Sequence, residues 1–526
     1  MKLSGLQAGA FIRLLAKSSE AENPARQSSL PPQSECSTPS FRVRGFPRRG
    51  ITKRTCWALI FLLLAAPVAR SASQDAIVLP DEAVTKKVLD NGLTILAKYA
   101  PPNDLVAVDV KIKAGSSLEG EYLGSGISHL VEHMVFKGTA SRPAGAIEKE
   151  VRSYGGIMNG SASSDVTDLY IVLPSENLPQ AVAILKDMLL NARMDPSELA
   201  SEKEVILKEM RLGKDEPQSR LIRALNATAY LSHPYKFPVI GYEANFNALT
   251  VDDVMKYYKT RYVPNRIIVT VVGGIDASGA ISAVEKEFKD FRIADYGIPD
   301  AVPQEPPQIQ PRSAAEHMET SLAYLAMGFH STGLLNEDLF AMDALSVILG
   351  RGDNSRLNTA LYKDKALVHT ISAWNHTPRD PGLFTITAIL DKDNLDRAEK
   401  QVMEELTRVR GELVSDRELD SAKRVLSADL IATLGTIQGQ AGDISAGYAL
   451  TGSGTFARRY IEGIRAVTKE DVKAVAERYL RADNLTTVRM LPPASVKPRR
   501  GERLETGDAE LRDAGNASER PQDIRP

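Results

Sequence analysis

A helix-to-strand phrase occurs twice in this 526-residue chain, and that repetition limits the folds open to it. Ala248-Leu249-Thr250-Val251-Asp252-Asp253-Val254 leads to Arg261-Tyr262 and then Asn265-Arg266-Ile267; Ala466-Val467-Thr468-Lys469-Glu470-Asp471-Val472 leads to Arg478-Tyr479 and Asp483-Asn484-Leu485. The two threonines stand 218 positions apart, and a one-residue slip at Arg-Tyr is recovered by Ile267 and Leu485. Each copy reads as a capped helix running into a strand near the end of a lobe. A common cap pattern could recur by chance, but duplication of a lobe accounts for both copies together. Between them, Pro299, Pro303, Pro306, Pro307 and Pro311 have the composition of an extended, semi-rigid linker. The chain also exceeds the length at which one core usually stops growing. The expected layout is a leader with an export signal (1–73), an N-terminal lobe (74–297), a linker (298–313), a C-terminal lobe (314–495) and a charged, apolar-poor, disordered tail (496–526).

Charge separates the leader from the rest. Residues 1–73 hold 11 Lys/Arg against 3 Asp/Glu, which leaves 54 basic and 64 acidic residues beyond, a net of −10. An acidic body excludes a nucleic-acid partner, since no basic surface offsets phosphate repulsion. Within the leader, Lys53-Arg54 precede the apolar run Cys56 to Ala66, and small residues follow at Ser71, Ala72 and Ser73. The run is too short to span a bilayer comfortably and fits a signal peptide cleaved between Ala69 and Ala76. Export, to a periplasm, is therefore expected, with membrane attachment only through an uncleaved leader anchored in the inner membrane. Arg48-Arg49-Gly50-Ile51-Thr52-Lys53 loosely resembles a twin-arginine signal, with Ile and Thr in place of the usual Phe-Leu. Both cysteines, Cys36 and Cys56, fall in the leader. A metal in the mature protein must then be held by His, Asp or Glu.

From Ile77 to about Asp300 strand-like and helix-like segments alternate. Leu93 to Ala97 and Val106 to Ile112 have strand periodicity, with Asn91-Gly92 and Pro101-Pro102-Asn103-Asp104 as turns. Gly126 to Phe136 follows as a helix whose Ile127, Leu130, Val131 and Met134 form an apolar stripe. Bordering the stripe is His129-Leu130-Val131-Glu132-His133. Positions i and i+4 of a helix share a face, so both imidazoles can hold one ion with Glu132 beside it, the H-x-x-E-H arrangement of inverted zinc proteases. Five residues alone also fit a surface helix that happens to carry two histidines. A zinc site needs a third protein ligand, and the helix from Asp195-Pro196-Ser197-Glu198 through Met210 offers Glu202 and Glu209, seven apart on one face. Spacing leaves Glu209 one ligand candidate among several, with Glu198, Glu204 and Lys208 reading as a solvated, charge-paired face.

The chain resembles the pitrilysin/insulinase family of inverzincins, most of all its mitochondrial-processing-peptidase-type branch. The resemblance rests on Gly126 to Thr139 around H-x-x-E-H, on Gly155-Gly156-Ile157-Met158-Asn159, on His233-Pro234-Tyr235 and on Val239-Ile240-Gly241, in order, between about Val84 and Leu491. In that family a helical E-x(6)-E follows about seventy-five residues later, and its second Glu binds zinc; Glu209 lies 76 positions after His133. The resemblance implies Zn2+ held by His129, His133 and Glu209, Glu132 as general base, and Glu202 supporting the site. It implies substrate pairing along an edge strand at Asn159, Gly160 and Ser161, whose plainer reading is a turn-and-strand scaffold. It also implies an α+β fold of two homologous lobes, each an antiparallel sheet packed with helices.

The resemblance implies as well a second-lobe Arg and, seven residues on, a Tyr that contact substrate. Aligned on Ser355-Arg356-Leu357 and Ser372-Ala373, those positions hold Tyr362 and His369. The expected function is zinc-dependent endopeptidase action on short or unfolded polypeptides. The chain would be the zinc-bearing subunit beside a homologous partner that supplies the Arg/Tyr pair, or it would act alone or as a homodimer with altered residues. A non-catalytic assembly or chaperone-like subunit, or a subunit of the mitochondrial presequence peptidase, are the alternatives. The retained ligands weigh against the first and the export signal against the second.

Overall fold

The computed structural model of the protein describes residues 83–292 and 301–493. The leader in which an export signal is expected, both cysteines, the start of the linker and the charged tail lie outside the described residues. The first lobe is built on a six-stranded sheet: β1 (Thr85–Val88), β2 (Thr94–Tyr99), β3 (Leu105–Ile112), β4 (Ile157–Ala162), β5 (Thr167–Pro174) and β6 (Ile267–Gly273), in the order β1-β2-β6-β3-β5-β4. Helices α1 (Ile127–Met134), α2 (Pro196–Asp215), α3 (Pro217–Ala229) and α4 (Val251–Arg261) belong to the same stretch of chain, and α1 lies against β4 and β5. The second lobe has β7 (Arg312–His317), β8 (Ala323–His330), β9 (Thr370–His376), β10 (Leu383–Leu390) and β11 (Leu485–Leu491), ordered β7-β11-β8-β10-β9, with α5 (Ile437–Thr451) and α6 (Lys469–Tyr479) among its helices. No helix among the described residues is long and apolar enough to cross a membrane.

The order of the second sheet repeats β2-β6-β3-β5-β4 of the first, and the two sequence phrases occupy equivalent places. Thr250 caps α4 and Thr468 caps α6, each in a reciprocal capping box with Asp253 or Asp471. Each helix then passes through a short turn into β6 or β11. One detail departs from the expectation of antiparallel sheets: β2 pairs with β6, and β7 with β11, in parallel. The physical reason is the helix in the phrase. A strand reached by a long crossover can slot in parallel beside an earlier strand, which a tight hairpin cannot do.

The strand β3 shows how the lobes are joined. Its Val106, Val108, Val110 and Ile112 point into the lobe's own core with Leu130, Val131 and Met134 of α1. On the opposite face, Ala107 joins Leu96, Ile268 and Val272 under Ile437, Ala441 and Ile444 of α5, a helix of the second lobe. The exchange is mutual: Leu221, Leu225 and Ala229 of α3 pack on Ala326, Leu383, Val488 and Met490 of the second sheet. Because each sheet borrows a covering helix from the other half, separating the lobes would expose apolar side chains worth about 1.5–3 kcal/mol each when buried.

Polar groups seal this contact. Lys111 bonds Asp168 and stands 3.2 Å from Asp109, whose Oδ1 accepts a 2.5 Å bond from Ser445 of α5. Tyr235 donates to Asp165 at 2.8 Å, the Arg379 amide donates to the other oxygen of Asp165 at 3.0 Å, and His233 meets Asp380 at 3.3 Å. The proline-rich connection is fastened too. The Glu305 carboxylate accepts from the amides of Leu231, Ser232 and His233 at 2.8–3.0 Å, and β7 begins at Arg312. Residues 301–311 form neither helix nor strand.

Candidate metal centre

The helix that carries the two histidines starts at a place where only glycine fits. Gly126 precedes α1 with φ +76°, and a Cβ there would collide with the Ile240 carbonyl oxygen; Gly241, φ +81°, is pressed in return against the Ser125–Gly126 backbone. This backbone crossing explains why glycines stand in both motifs, and it fixes the start of α1 against the segment after His233-Pro234-Tyr235. Gly126 has no side chain to cap the helix. Glu119 does so from outside, accepting from the Ser128 amide at 3.0 Å, while Ser128 Oγ and the Tyr257 hydroxyl share a 2.7 Å bond. Burial pushes the Glu119 carboxyl up to about 8, against the backbone amides that favour its charge.

With Ile127, Leu130, Val131 and Met134 all but fully buried on one side, α1 turns His129, Glu132 and His133 to the other. The Nε2 atoms of His129 and His133 stand 3.2 Å apart, with the rings edge to face. From α2, capped by Asp195 through the Ser197 amide, Glu209 brings Oε2 to 4.0 Å from His129 Nε2. Glu132 Oε2 lies 3.9 Å from His133 Nε2. One helical face of α2 also presents Glu202, as the spacing of seven requires, and its Oε2 meets His133 Nδ1 at 3.0 Å while Oε1 takes Lys137 Nζ at 2.5 Å. Among the described residues, His129, Glu132 and His133 form the one group of three such side chains close enough to share an ion.

The separation of the two Nε2 atoms suits a tetrahedral cation, while Glu209, 4.0 Å from His129 Nε2, stands outside the group of three close enough to share an ion. Ligands about 2.0–2.1 Å from an ion stand about 3.3 Å from one another, close to the separation of the two Nε2 atoms. The bond to Glu202 places a proton on His133 Nδ1 and leaves Nε2 bare for an ion, the usual arrangement of a carboxylate behind a metal-binding imidazole. His129 Nδ1 is buried without a partner. Burial, with His133 beside it, lowers His129 to about 3, so the ring is neutral at ordinary pH and its lone pair is available. His133 is raised: burial opposes its charge, but the Glu202 hydrogen bond and the three surrounding carboxylates outweigh that. Glu132 is pushed up to about 7, chiefly by burial and further by Glu209 and Glu202, with His133 opposing. Three acids around two imidazoles therefore form a site that a cation would relieve, and its charge would bring Glu132 back towards the ionised form.

Next to this cluster runs the edge strand of the first sheet, half-buried from Met158 to Ala162. Among the described residues the strand β4 is the last in the order and pairs with β5, so Asn159, Gly160 and Ser161 lie on the outer strand of the sheet. Gly160 is in contact with the Glu132 carboxylate, and a Cβ there would also come within 2.8 Å of Phe136. The second-lobe pair is placed differently. Tyr362, in the turn Asn358–Lys363, is half exposed, and His369 is paired with Asp391 at 3.3 Å in its own lobe. Arg356 is held by Glu418 at 2.7 Å. Sequence reasoning singled out the cluster residues but missed Glu119 and Lys137. Their neighbours in space come from distant turns, and no spacing signals them.

Comparisons with known proteins place this geometry in a family. The family description "Insulinase (Peptidase family M16)" matches residues 94–243, and "Peptidase M16 inactive domain" matches residues 248–426. An uncharacterised zinc protease, YmxG, of Bacillus subtilis is 26% identical over 76% of this chain and 96% of its own. Zinc protease PqqE of Helicobacter pylori is 28% identical over 78% and 93%, and the mitochondrial-processing peptidase subunit beta of Saccharomyces cerevisiae 25% identical over 73% and 86%. Among solved structures, a protease from Helicobacter pylori superposes with a TM-score of 0.73 at 26% identity, covering 79% of this chain and all of that one. Two lobes of one repeated topology, matched in order by both halves of the family, lead to one conclusion: the chain belongs to the M16, insulinase-type, peptidase family.

Proposed function

We propose that this chain is a zinc-dependent endopeptidase that hydrolyses short or unfolded polypeptides. The observation that carries the reading is the pair of Nε2 atoms of His129 and His133 3.2 Å apart, with Glu209 4.0 Å from His129 and with Glu132 between the pair and the β4 edge. A zinc ion held by the three ligands would supply Lewis acidity to a water and to the scissile carbonyl. The edge of β4 offers its backbone at Asn159, Gly160 and Ser161 to an extended peptide, which adds to the sheet as a further strand. Glu132, in contact with that strand, takes the proton of the attacking water and returns it to the leaving amine. Glu202 orients His133 through Nδ1, and Lys137 holds Glu202 in the ionised form that this requires. Purified Glu132→Gln should retain the metal and lose peptide hydrolysis; undiminished cleavage by that variant would refute the role of Glu132.

The same proposal includes a partner. Tyr362 and His369 stand where an Arg and a Tyr are expected, and relatives are named as subunits of a larger peptidase. A homologous subunit would then supply the pair across the cleft. Assay of an unstructured peptide with the chain alone and with a co-expressed homologue decides this: full activity of the chain alone excludes an obligate partner. An exported location, periplasmic or tethered by a retained leader, rests on the leader sequence alone.

A further inference from the structure

The turn that ends β4 is held by both lobes. Residues 163–166 join β4 to β5, and the Ser163 and Ser164 carbonyls accept from the amides of Ser116 and Ser117 at 3.0 and 2.8 Å. Gly115 lies so close that a Cβ there would strike the Ser164 carbonyl. Those contacts belong to the first lobe. Asp165, 5% exposed, reaches the second as well: Oδ1 accepts from the Tyr235 hydroxyl at 2.8 Å, and Oδ2 accepts at 3.0 Å from the amide of Arg379, in the loop between β9 and β10. The Tyr235 hydroxyl in turn accepts from the Asp380 amide at 3.2 Å. Next in the chain, Val166 packs against the apolar core of the second lobe. Two successive side chains of one turn, the first polar and the other apolar, therefore cross the boundary between the lobes.

We propose that Asp165 is a positioning residue: it ties the end of β4 to the second lobe and so holds that strand ready to receive an extended peptide. This rests on the peptidase reading of the metal centre. Asp165 stands five residues beyond Gly160, the residue in contact with Glu132, so it acts through the strand and not on the reacting bond. An outer strand is bonded to its sheet along one side, and its order depends on how its ends are fixed. A peptide that adds to a loose strand must first order it, whereas a strand fixed beforehand binds more tightly with the same contacts. A carboxylate suits the task because it has two acceptor oxygens, and a donor from each lobe takes one of them. The plain alternative is that Asp165 only cements the lobes. Any loosening of their contact would then act alike, including loss of the Ser445–Asp109 bond, which lies on β3.

The experiment uses the full chain loaded with zinc, an unstructured peptide, and the variants Asp165→Asn, Tyr235→Phe and Ser445→Ala. Asparagine keeps the shape of aspartate but one acceptor oxygen, so one of the two donors loses its partner. Phenylalanine removes the hydroxyl that bridges Asp165 and Asp380. Ser445→Ala loosens the lobe contact at β3 and is the control for general weakening. Asp165→Asn and Tyr235→Phe should each raise KM at least about fivefold, less than the full value of a bond to a charged group, with kcat and zinc affinity within about threefold of wild type. Ser445→Ala should leave KM in place. Hydrogen exchange of the β4 amides that pair with β5 should quicken in the first two variants and stay unchanged in β3, which reads the strand without cleavage. If wild type cleaves nothing, the peptidase reading fails, and the exchange series still decides whether Asp165 fixes β4. Unchanged KM or unchanged β4 exchange in Asp165→Asn, an equal rise of KM in Ser445→Ala, or a matching loss of zinc affinity would overturn the proposal.

Discussion

Lys111→Met would strike the polar seal between the lobes. Lys111 lies between Asp109 and Asp168, and the three side chains are 4%, 1% and 8% exposed. Methionine keeps most of the length of lysine and removes its charge, leaving two buried carboxylates without a cation. Breaking a buried pair in this way costs ~3–5 kcal/mol. Burial, with Asp109 as the nearest like charge, already raises Asp168 to about 7, and loss of Lys111 would raise it further. The folded variant then holds a proton that the unfolded chain, with a carboxyl near 3.8, releases. A folded pKa above the unfolded one means that stability is complete at low pH and falls as pH rises. Between about pH 5.5 and about pH 8 one retained proton lowers stability by about 3 kcal/mol, at about 1.4 kcal/mol per pH unit. Urea denaturation followed by circular dichroism at both pH values measures this. A loss below about 1 kcal/mol at the higher pH, or the same loss at both, would refute the reasoning from buried charge.

Gly126→Ala forces a left-handed backbone on alanine, at roughly 1–2 kcal/mol, and drives its Cβ into the Ile240 carbonyl. Melting temperature and metal affinity should fall together, and unchanged values for both would contradict the backbone crossing. Glu202→Gln should weaken metal binding by about 10–100-fold, measured by chelator competition, because His133 loses the carboxylate that orients it. Metal affinity should also fall as pH drops through the raised pKa of His133, by about tenfold per unit below it, since the proton competes for the lone pair. Isothermal titration from about pH 8 to about pH 6 checks this, and a flat profile would mean that His133 is not a ligand.

The fold was legible where local chemistry decides it. The capping boxes at Thr250 and Thr468 set both helices of the repeat, and the alternation of Val106 to Ile112 set β3. What could not be read is what covers each face. Asp109 and Lys111 alternate with valines as on a solvated surface, yet they are 1% and 3% exposed, because α5 arrives from more than three hundred residues away. The parallel pairs β2–β6 and β7–β11 were hidden for the same reason, since register between distant strands leaves no mark in either. At the site, the i, i+4 histidines and the seven-residue spacing of Glu202 and Glu209 follow helix geometry and were readable. Pairing α1 with α2 was not readable from spacing, and resemblance supplied it. Glu119 and Lys137 escaped notice because their significance lies in what stands opposite them.

Metal analysis of Glu209→Gln beside wild type and Glu132→Gln tests the central claim most directly. The account predicts about one zinc per chain in wild type and in Glu132→Gln, with hydrolysis only in the former, and loss of tight zinc binding in Glu209→Gln. Full zinc occupancy in purified Glu209→Gln would contradict the ligand set built from His129, His133 and Glu209.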